Sequence, residues 1–379
     1  MSETMTDIRF FKGRDGRSIA YAVSGSGPYL VCPAWWVSHV EADWREPAFR
    51  EFFEQLSEGF TLVRYDRPGV GLSGGEVGEV SLGREAEILE ELIAELGLAS
   101  YSLFGLSRGG PTAIAHIAKH ADQVDRVCFL GTFANGGGIA TKDVEHAMLA
   151  MVRAHWGIGS TALAHVFAPD VSKEALNSFA RQQRAAANAE AAAQFLELTY
   201  GMNAEAHLPA CTIPALVMHR SGDLAIPSHL GQELARSLPD ARLMLFEGRN
   251  HVPWFGGEDI ARAANAFLRG DSPVPSPVTG PAKAAVFLDT DNRALNLEGV
   301  EVALTPLEFA TLQALTGAES KVMTRDQLLA EVWKQPFEGS NRIDAMIRGL
   351  RRKLGPYAAS IETVIGHGYR FRGWQKAAG

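Results

Sequence analysis

Six short apolar runs punctuate the chain before residue 250: PYLVCPA (28–34), FTLVRYD (60–66), SYSLFGL (100–106), RVCFLGT (126–132), PALVMHR (214–220) and ARLMLFEG (241–248). Segments with helical spacing lie between them, among them EAEILEELIAELGL (85–98) and GPTAIAHIAKHA (110–121). Near-continuous apolar runs suit strands buried on both faces, and such strands need helical crossovers to cover them. The alternation predicts an α/β fold, a mostly parallel sheet with helices on both faces. One stretch breaks the rhythm. From about 135 to 208 the chain is alanine-rich and helical in pattern, with Trp156, Phe167, Phe179, Phe195 and Tyr200 scattered through it. An all-helical insertion there would sit above the sheet as a cap.

The pattern stops at DSPVPSPVTGPAK, Asp271 to Lys283. Proline fixes φ and removes donors, so this stretch reads as a semi-extended linker. Beyond it, AVFLDTDNRALNLEGVEVALT reads as short strands separated by Asp-Asn and Glu-Gly turns. With 379 residues there is room for one large domain and a small one. The expected division is 1–270, a linker over 271–283, and 284–379.

Charge is distributed unevenly. The net charge is −8, yet from Asn341 onward the basic residues Arg342, Arg348, Arg351, Arg352, Lys353, Arg370, Arg372 and Lys376 face only Asp344 and Glu362. An acidic body repels nucleic acid and a basic tail attracts phosphates. No apolar run is long enough to span a bilayer, and the N-terminal MSETMTDIRFFKGRDG has no apolar core, so neither a membrane span nor a signal peptide is expected. Cys32, Cys128 and Cys211 are odd in number, far apart and without CxxC spacing. They read as buried thiols in a reducing cytoplasm, with no disulfide, metal site or cofactor implied.

Chemistry concentrates at FGLSRGG. Gly105-Leu106-Ser107-Arg108-Gly109 spells G-x-S-x-G, with an apolar strand before it and a helix after it. A serine on such a turn is exposed as a nucleophile, and the small flanking residues relieve crowding. It needs a base, and the base needs an acid to orient it. Asp223 follows the run PALVMHR and His251 follows ARLMLFEG. Both fall in loops after strands, where a parallel sheet places its site. Ser107, Asp223 and His251 are the candidate triad.

Residues from about 8 to 270 resemble the α/β-hydrolase superfamily. VRYDRPGVGLS (63–73) resembles that family's DxRGxGxS turn with Pro68 at one of its positions, and GLSRGGPTAIAHIAKHADQVDRVCFLGT is similar over its whole length. The resemblance implies that Asp66, Gly69 and Gly71 shape a turn and do no chemistry. It also exposes a departure. Where the family carries His-Gly after its third strand, CPAWWVSH has Pro33 and Ala34. The oxyanion donors are then expected to be the N–H groups of Trp35 and Arg108. One lost donor costs about 2.7–4 kcal/mol of transition-state stabilisation, which leaves a slow enzyme rather than none. Trp35 and Trp36 either wall the pocket or pack beneath the cap. The Arg108 side chain either meets an anionic ligand or faces solvent at the helix start; solvent is the expectation.

The tail has its own pattern. LTPLEFATLQAL (304–315) starts with a Thr-Pro cap, and MTRDQLLAEVW (323–333) repeats the arrangement with Thr324. In SNRIDAMIRGLRRKLG, Ile343, Met346, Ile347, Leu350 and Leu354 form one stripe, with Arg348, Arg351, Arg352 and Lys353 mostly off it. ETVIGHGYRF reads as strand, glycine turn, strand. A basic helix alone would read as a solvated face. Three helices followed by a terminal hairpin read as a winged helix-turn-helix. Residues from about 284 to 374 resemble the OmpR/PhoB-type winged-helix DNA-binding domain of response regulators. The resemblance implies a recognition helix over Asn341–Leu354 and a wing over Gly366–Phe371. The residues expected at DNA are Asn341, Arg342, Arg348, Arg351, Arg352, Lys353, His367, Tyr369 and Arg370. The usual receiver domain is absent and the hydrolase-like region occupies its place.

Two functions fit. One is a cytoplasmic, dimeric transcription regulator that binds double-stranded DNA and senses a small molecule through its hydrolase-like domain. The other is an active serine esterase or lactonase with an appended DNA-binding domain.

Overall fold

The computed structural model describes residues 7–271, 286–289, 294–297, 300–302, 304–318, 321–333, 341–364 and 366–374. Contacts cluster into two compact units, Met1–Ser276 and Pro277–Gly379. The expected linker, Asp271 apart, and the Asp-Asn and Glu-Gly turns lie outside the described residues.

The first unit is built in the order β1 (Asp7–Lys12), β2 (Ser18–Gly25), β3 (Tyr29–Cys32), α1 (Val40–Arg45), α2 (Pro47–Leu56), β4 (Thr61–Tyr65), α3 (Leu82–Glu95), β5 (Tyr101–Leu106), α4 (Gly109–His120) and β6 (Val124–Leu130). Four helices follow: α5 (Lys142–Ala154), α6 (Trp156–Phe167), α7 (Lys173–Ala186) and α8 (Ala189–Gly201). It closes with β7 (Ala215–Arg220), α9 (Ser228–Ser237), β8 (Ala241–Phe246) and α10 (Glu258–Leu268). The eight strands pair in the order β1-β2-β4-β3-β5-β6-β7-β8. β1 and β2 pair antiparallel, as do β2 and β4; the remaining pairings are parallel.

The central strand β5 is buried at every position, as its apolar run predicts. Two apolar cores lie against the sheet. One gathers Trp35, Trp36, Phe104 and Leu130 with Phe167, Phe179 and Phe195 of the inserted helices. The other gathers Val31, Val63 and Leu103 with Leu89 of α3 and Ile114 of α4. All three cysteines are buried and unpaired. Burial pushes the thiols of Cys32 and Cys211 up to about 12, so neither supplies a thiolate.

The second unit contains β9 (Val286–Asp289), β10 (Ala294–Leu297), β11 (Val300–Val302), α11 (Pro306–Gly317), β12 (Met323–Thr324), α12 (Arg325–Trp333), α13 (Asn341–Leu354), β13 (Ile361–Val364) and β14 (Gly368–Phe371). β9, β10 and β11 form one antiparallel sheet, and β12, β14 and β13 another. Thr305 caps α11 by accepting from the Glu308 N–H, while the Glu308 carboxylate accepts from the Thr305 N–H at 2.7 Å. Thr324 and Gln327 make the same reciprocal pair at α12. Ile343, Ile347, Leu350 and Leu354 of α13 enter a core with Leu312, Leu328, Ile361 and Phe371.

Candidate active site and nucleic-acid interface

β5 delivers the chain into a turn at which Ser107 adopts φ 51°, the one non-glycine residue with positive φ among the described residues. That conformation costs an L-residue roughly 1–2 kcal/mol, so the surroundings must hold it. They do. The Ser107 N–H donates to the Leu130 carbonyl at 3.0 Å, and the Thr132 hydroxyl donates to the Ser107 carbonyl at 2.5 Å. Gly109 is demanded by close approach: a Cβ there would lie 2.8 Å from the Pro33 carbonyl oxygen.

The loops after β7 and β8 carry the other two residues to Gly131, at the end of β6. Gly131 faces the imidazole of His251 and the carboxylate of Asp223; a Cβ on it would lie 3.2 Å from the ring and 3.3 Å from Asp223 Oδ2. His251 Nδ1 lies 2.8 Å from Asp223 Oδ2. A carboxylate only accepts, so Nδ1 carries the proton and Nε2 presents its lone pair. Asp223 Oδ1 accepts from the N–H groups of Ala225 at 2.8 Å and Ile226 at 3.0 Å. His219 Nε2 lies 3.5 Å from Asp223 Oδ2. Burial alone would push the Asp223 carboxyl up. The electrostatic interaction with His251 and hydrogen bonds from His219 and His251 outweigh it and hold the group well below the usual carboxylate range. Nε2 of His251 is buried and has no hydrogen-bond partner among the described residues. No hydrogen bond joins it to Ser107 Oγ, a separation common in ligand-free serine sites.

The inserted helices tie into this loop. The His251 N–H donates to the Phe167 carbonyl at 2.8 Å, and the Phe167 ring lies 5.5 Å from the imidazole. Trp35 and Trp36 are buried in the aromatic layer between sheet and helices. Trp35 meets Trp254 edge-on at 5.0 Å, and Trp36 meets Phe167 at 5.7 Å. Trp36 Nε1 donates to Gln183 of α7 at 3.0 Å. Both tryptophans pack under the helices, and Trp36 reaches the imidazole through Phe167. The N–H groups of Trp35 and Arg108 have no backbone partner among the described residues.

Arg108 differs from the solvent-facing expectation. It is 1% exposed, lies 3.2 Å from Glu85 of α3, and sits 5.0 Å from the centre of the Phe195 ring on α8. The physical reason is that α8 and α3 cover the start of α4. Arg67 shares the arrangement, 3.2 Å from Glu85 and 4.2 Å from the same ring. Asp66 accepts from Ser38 Oγ at 2.7 Å and from the Leu72 N–H at 2.9 Å, so it braces its turn. Sequence reasoning missed His219, Arg67, Glu85 and Thr132. Arg67, Glu85 and Thr132 act through partners 18 or more residues away, while His219 lies four residues before Asp223 on a strand whose apolar run gives no sign of the contact.

In the second unit the expected DNA-facing residues divide. Arg348 and Arg352 of α13 are exposed, and the charge of Arg348 acts on the Asp344 carboxylate of the same helix. Arg351 is spent internally: it donates to the Ile361 carbonyl at 2.7 Å and to Thr363 Oγ1 at 2.8 Å. Lys353 pairs with Glu308 at 2.7 Å. Tyr369 is buried and its hydroxyl donates to Asp344 at 2.5 Å. Arg370 pairs with Glu362 at 2.6 Å, and His367 is exposed beside the β13–β14 turn. The side chains of Asn341 and Arg342 lie outside the described residues.

Comparison with known proteins agrees with both halves. A family model described as "Alpha/beta hydrolase family" matches residues 29–264, well over half of the chain. One described as "Transcriptional regulatory protein, C terminal" matches residues 299–371. The chain belongs to the alpha/beta hydrolase family. Its second unit is a DNA-binding regulatory domain of the OmpR/PhoB type, so one polypeptide carries both. Over 121 residues it is 39% identical to the transcriptional regulatory protein CutR of Streptomyces coelicolor, covering 31% of this chain and 53% of that one. Over 89 residues it is 42% identical to ResD of Bacillus subtilis, covering 22% and 37%. The chain thus spans about half or less of these curated relatives. Among solved structures, an esterase from Exiguobacterium antarcticum superposes with TM-score 0.62 at 20% identity, over 69% of this chain and 98% of that one. An enol-lactonase from Burkholderia xenovorans superposes with TM-score 0.58 at 23% identity, over 69% and 100%. These likenesses establish the fold.

No helix among the described residues is long and apolar enough to cross a membrane.

Proposed function

We propose that the protein is a transcription regulator whose hydrolase-like unit, 1–270 with a helical cap over about 135–208, senses a small molecule at Ser107. The observation that carries this reading is the buried, unpartnered Nε2 of His251, oriented by Asp223 beneath helices in a chain that also holds a DNA-binding domain. An imidazole in that state is ready to accept the Ser107 hydroxyl proton as Oγ attacks a ligand carbonyl. Ligand binding acts on DNA only if the ligand prefers one arrangement of the DNA-binding units. The protein acts as a dimer on repeated half-sites. The exposed Leu243 and Leu245 on the edge strand β8 support a contact between copies.

A serine-reactive fluorophosphonate tests the sensor. DNA fragments are first selected from a random library by the full chain. Labelled and unlabelled protein are then compared on them. Labelling at Ser107 should change affinity or the stoichiometry of the complex; identical binding would sink the sensing role.

The second reading is an active esterase or lactonase. It is favoured by the Asp223–His251 geometry and by the free N–H groups of Trp35 and Arg108, which can receive an oxyanion. Sustained release of p-nitrophenol from p-nitrophenyl butyrate, lost in Ser107→Ala, would establish it.

A further inference from the structure

The two arginines beneath α8 are an unfinished electrostatic arrangement. Arg67 and Arg108 are each 1% exposed, and the carboxylate between them is Glu85. One anion for two guanidinium cations leaves a buried excess of one positive charge. A lysine would shed it by losing a proton; a guanidinium does not.

The hydrogen bonds locate the deficit. Arg67 donates through Nη1 to Glu85 Oε2 and through Nη2 to the Trp36 carbonyl oxygen, which leaves its Nε without a partner among the described residues. Among the described residues Arg108 has no hydrogen-bond partner at Nε, Nη1 or Nη2, and its 3.2 Å approach to Glu85 lacks hydrogen-bond geometry. The Phe195 ring covers guanidinium faces and offers nothing to the N–H edges. The nearby Asp66 is not a spare partner, since Ser38, Val40 and Leu72 occupy its oxygens. Buried donors without acceptors are rare because they forfeit water without replacement.

Position supplies the meaning. Arg108 follows Ser107 directly at the head of α4, and its guanidinium meets Phe195, which belongs to the same apolar layer as the Phe167 ring that packs on His251. A planar fork with free N–H edges matches the two oxygens of a carboxylate.

We infer that the ligand at Ser107 carries a carboxylate, received by the Arg108 guanidinium, while its ester or lactone carbonyl faces the serine. The inference rests on the proposed reading of Ser107 as a ligand site. The bound carboxylate neutralises the buried excess charge and satisfies the orphaned donors. Phe195 links this event to the helical layer, because α8 lies directly over the guanidinium.

The test uses full-length Ser107→Ala, which binds without turnover. Monomethyl succinate, glutarate and adipate are titrated by calorimetry beside their dimethyl esters. At least one half-ester should bind tenfold or more tighter than its neutral diester. Arg108→Met in the same background should erase that preference, and Arg108→Lys should retain part of it. Failure of all three half-esters to outbind their diesters would overturn the inference, as would a preference that survives Arg108→Met. Thermal melting provides a second readout without ligand. Arg108→Met leaves Arg67 and Glu85 as a balanced pair, so its Tm should rise by roughly 2–4 °C. A fall would mean that Arg108 is a structural partner of Glu85. The proposed function fails separately. If fluorophosphonate labelling changes DNA binding while half-esters show no preference, sensing stands and the carboxylate falls.

Discussion

The two units use arginine in opposite ways. In the hydrolase-like unit, Arg67 and Arg108 are buried around one carboxylate, and the Arg108 guanidinium has no hydrogen-bond partner among the described residues. In the DNA-binding unit, Arg348 and Arg352 are exposed, while Arg351 and Arg370 are engaged by their own fold. Charge that waits for a partner is therefore hidden beneath helices in one unit and displayed to solvent in the other. Burial magnifies each missing hydrogen bond, which suits selection of a small ligand. Exposure keeps phosphate contacts cheap to make and easily screened by salt, which suits a polyanion. A count of basic residues does not distinguish these uses.

The largest expected effect separates the two units. Ser107→Ala should lower any p-nitrophenyl ester turnover by at least about 10³-fold, in line with other serine nucleophiles. DNA affinity without ligand should be unchanged in a gel-shift titration; a parallel loss would mean that Ser107 holds the fold instead. Next come the exposed arginines. Arg348→Ala with Arg352→Ala should reduce the slope of log affinity against log salt by roughly two, about one per lost phosphate contact. An unchanged slope would remove both from the DNA face.

Arg351→Ala should behave differently from its neighbour. It removes donors to the Ile361 carbonyl and Thr363, so it should destabilise the second unit by about 1–3 kcal/mol in urea unfolding. A full salt-slope loss with unaltered stability would place Arg351 at DNA after all. The smallest effect concerns a buried acid. Burial, outweighing the His39 N–H hydrogen bond, pushes the Asp43 carboxyl up to about 7. The folded chain then keeps a proton that the unfolded chain releases near pH 4, by the usual carboxyl value of about 3.9. Stability contributed by this group is highest at low pH, falls as pH rises through that window, and levels off above about 7. Asp43→Asn should flatten this trend in melting curves at pH 5 and 8; an unaltered trend would assign it to other groups.

Much of the architecture was legible in the chain. The six apolar runs correspond to β3 to β8, and the Thr-Pro and Thr-Arg starts correspond to capped helices. Strands β1 and β2 were not read from the sequence. β1 is an edge strand whose residues are mostly exposed, so it carries no apolar run. Ser107, Asp223 and His251 were legible as an ordered set because each follows a strand. Their supports were not. His219 acts from β7 on the Asp223 carboxylate four residues on, and Thr132, at the end of β6, acts on the Ser107 carbonyl; neither contact is marked by a motif.

Local physics explains what the sequence determined by itself: strand and helix periods, caps, the glycine at the elbow, and an acidic body joined to a basic tail. These depend on residues within a few positions of one another or on simple sums. Tertiary structure alone decided which charges are buried and which are spent. Arg108 and Arg352 are the same residue type in glycine- or basic-flanked helix segments, yet one lies under Phe195 and the other in solvent. The difference comes from what folds over each helix. Desolvation depends on neighbours remote in the chain, so it exists only once the chain has folded.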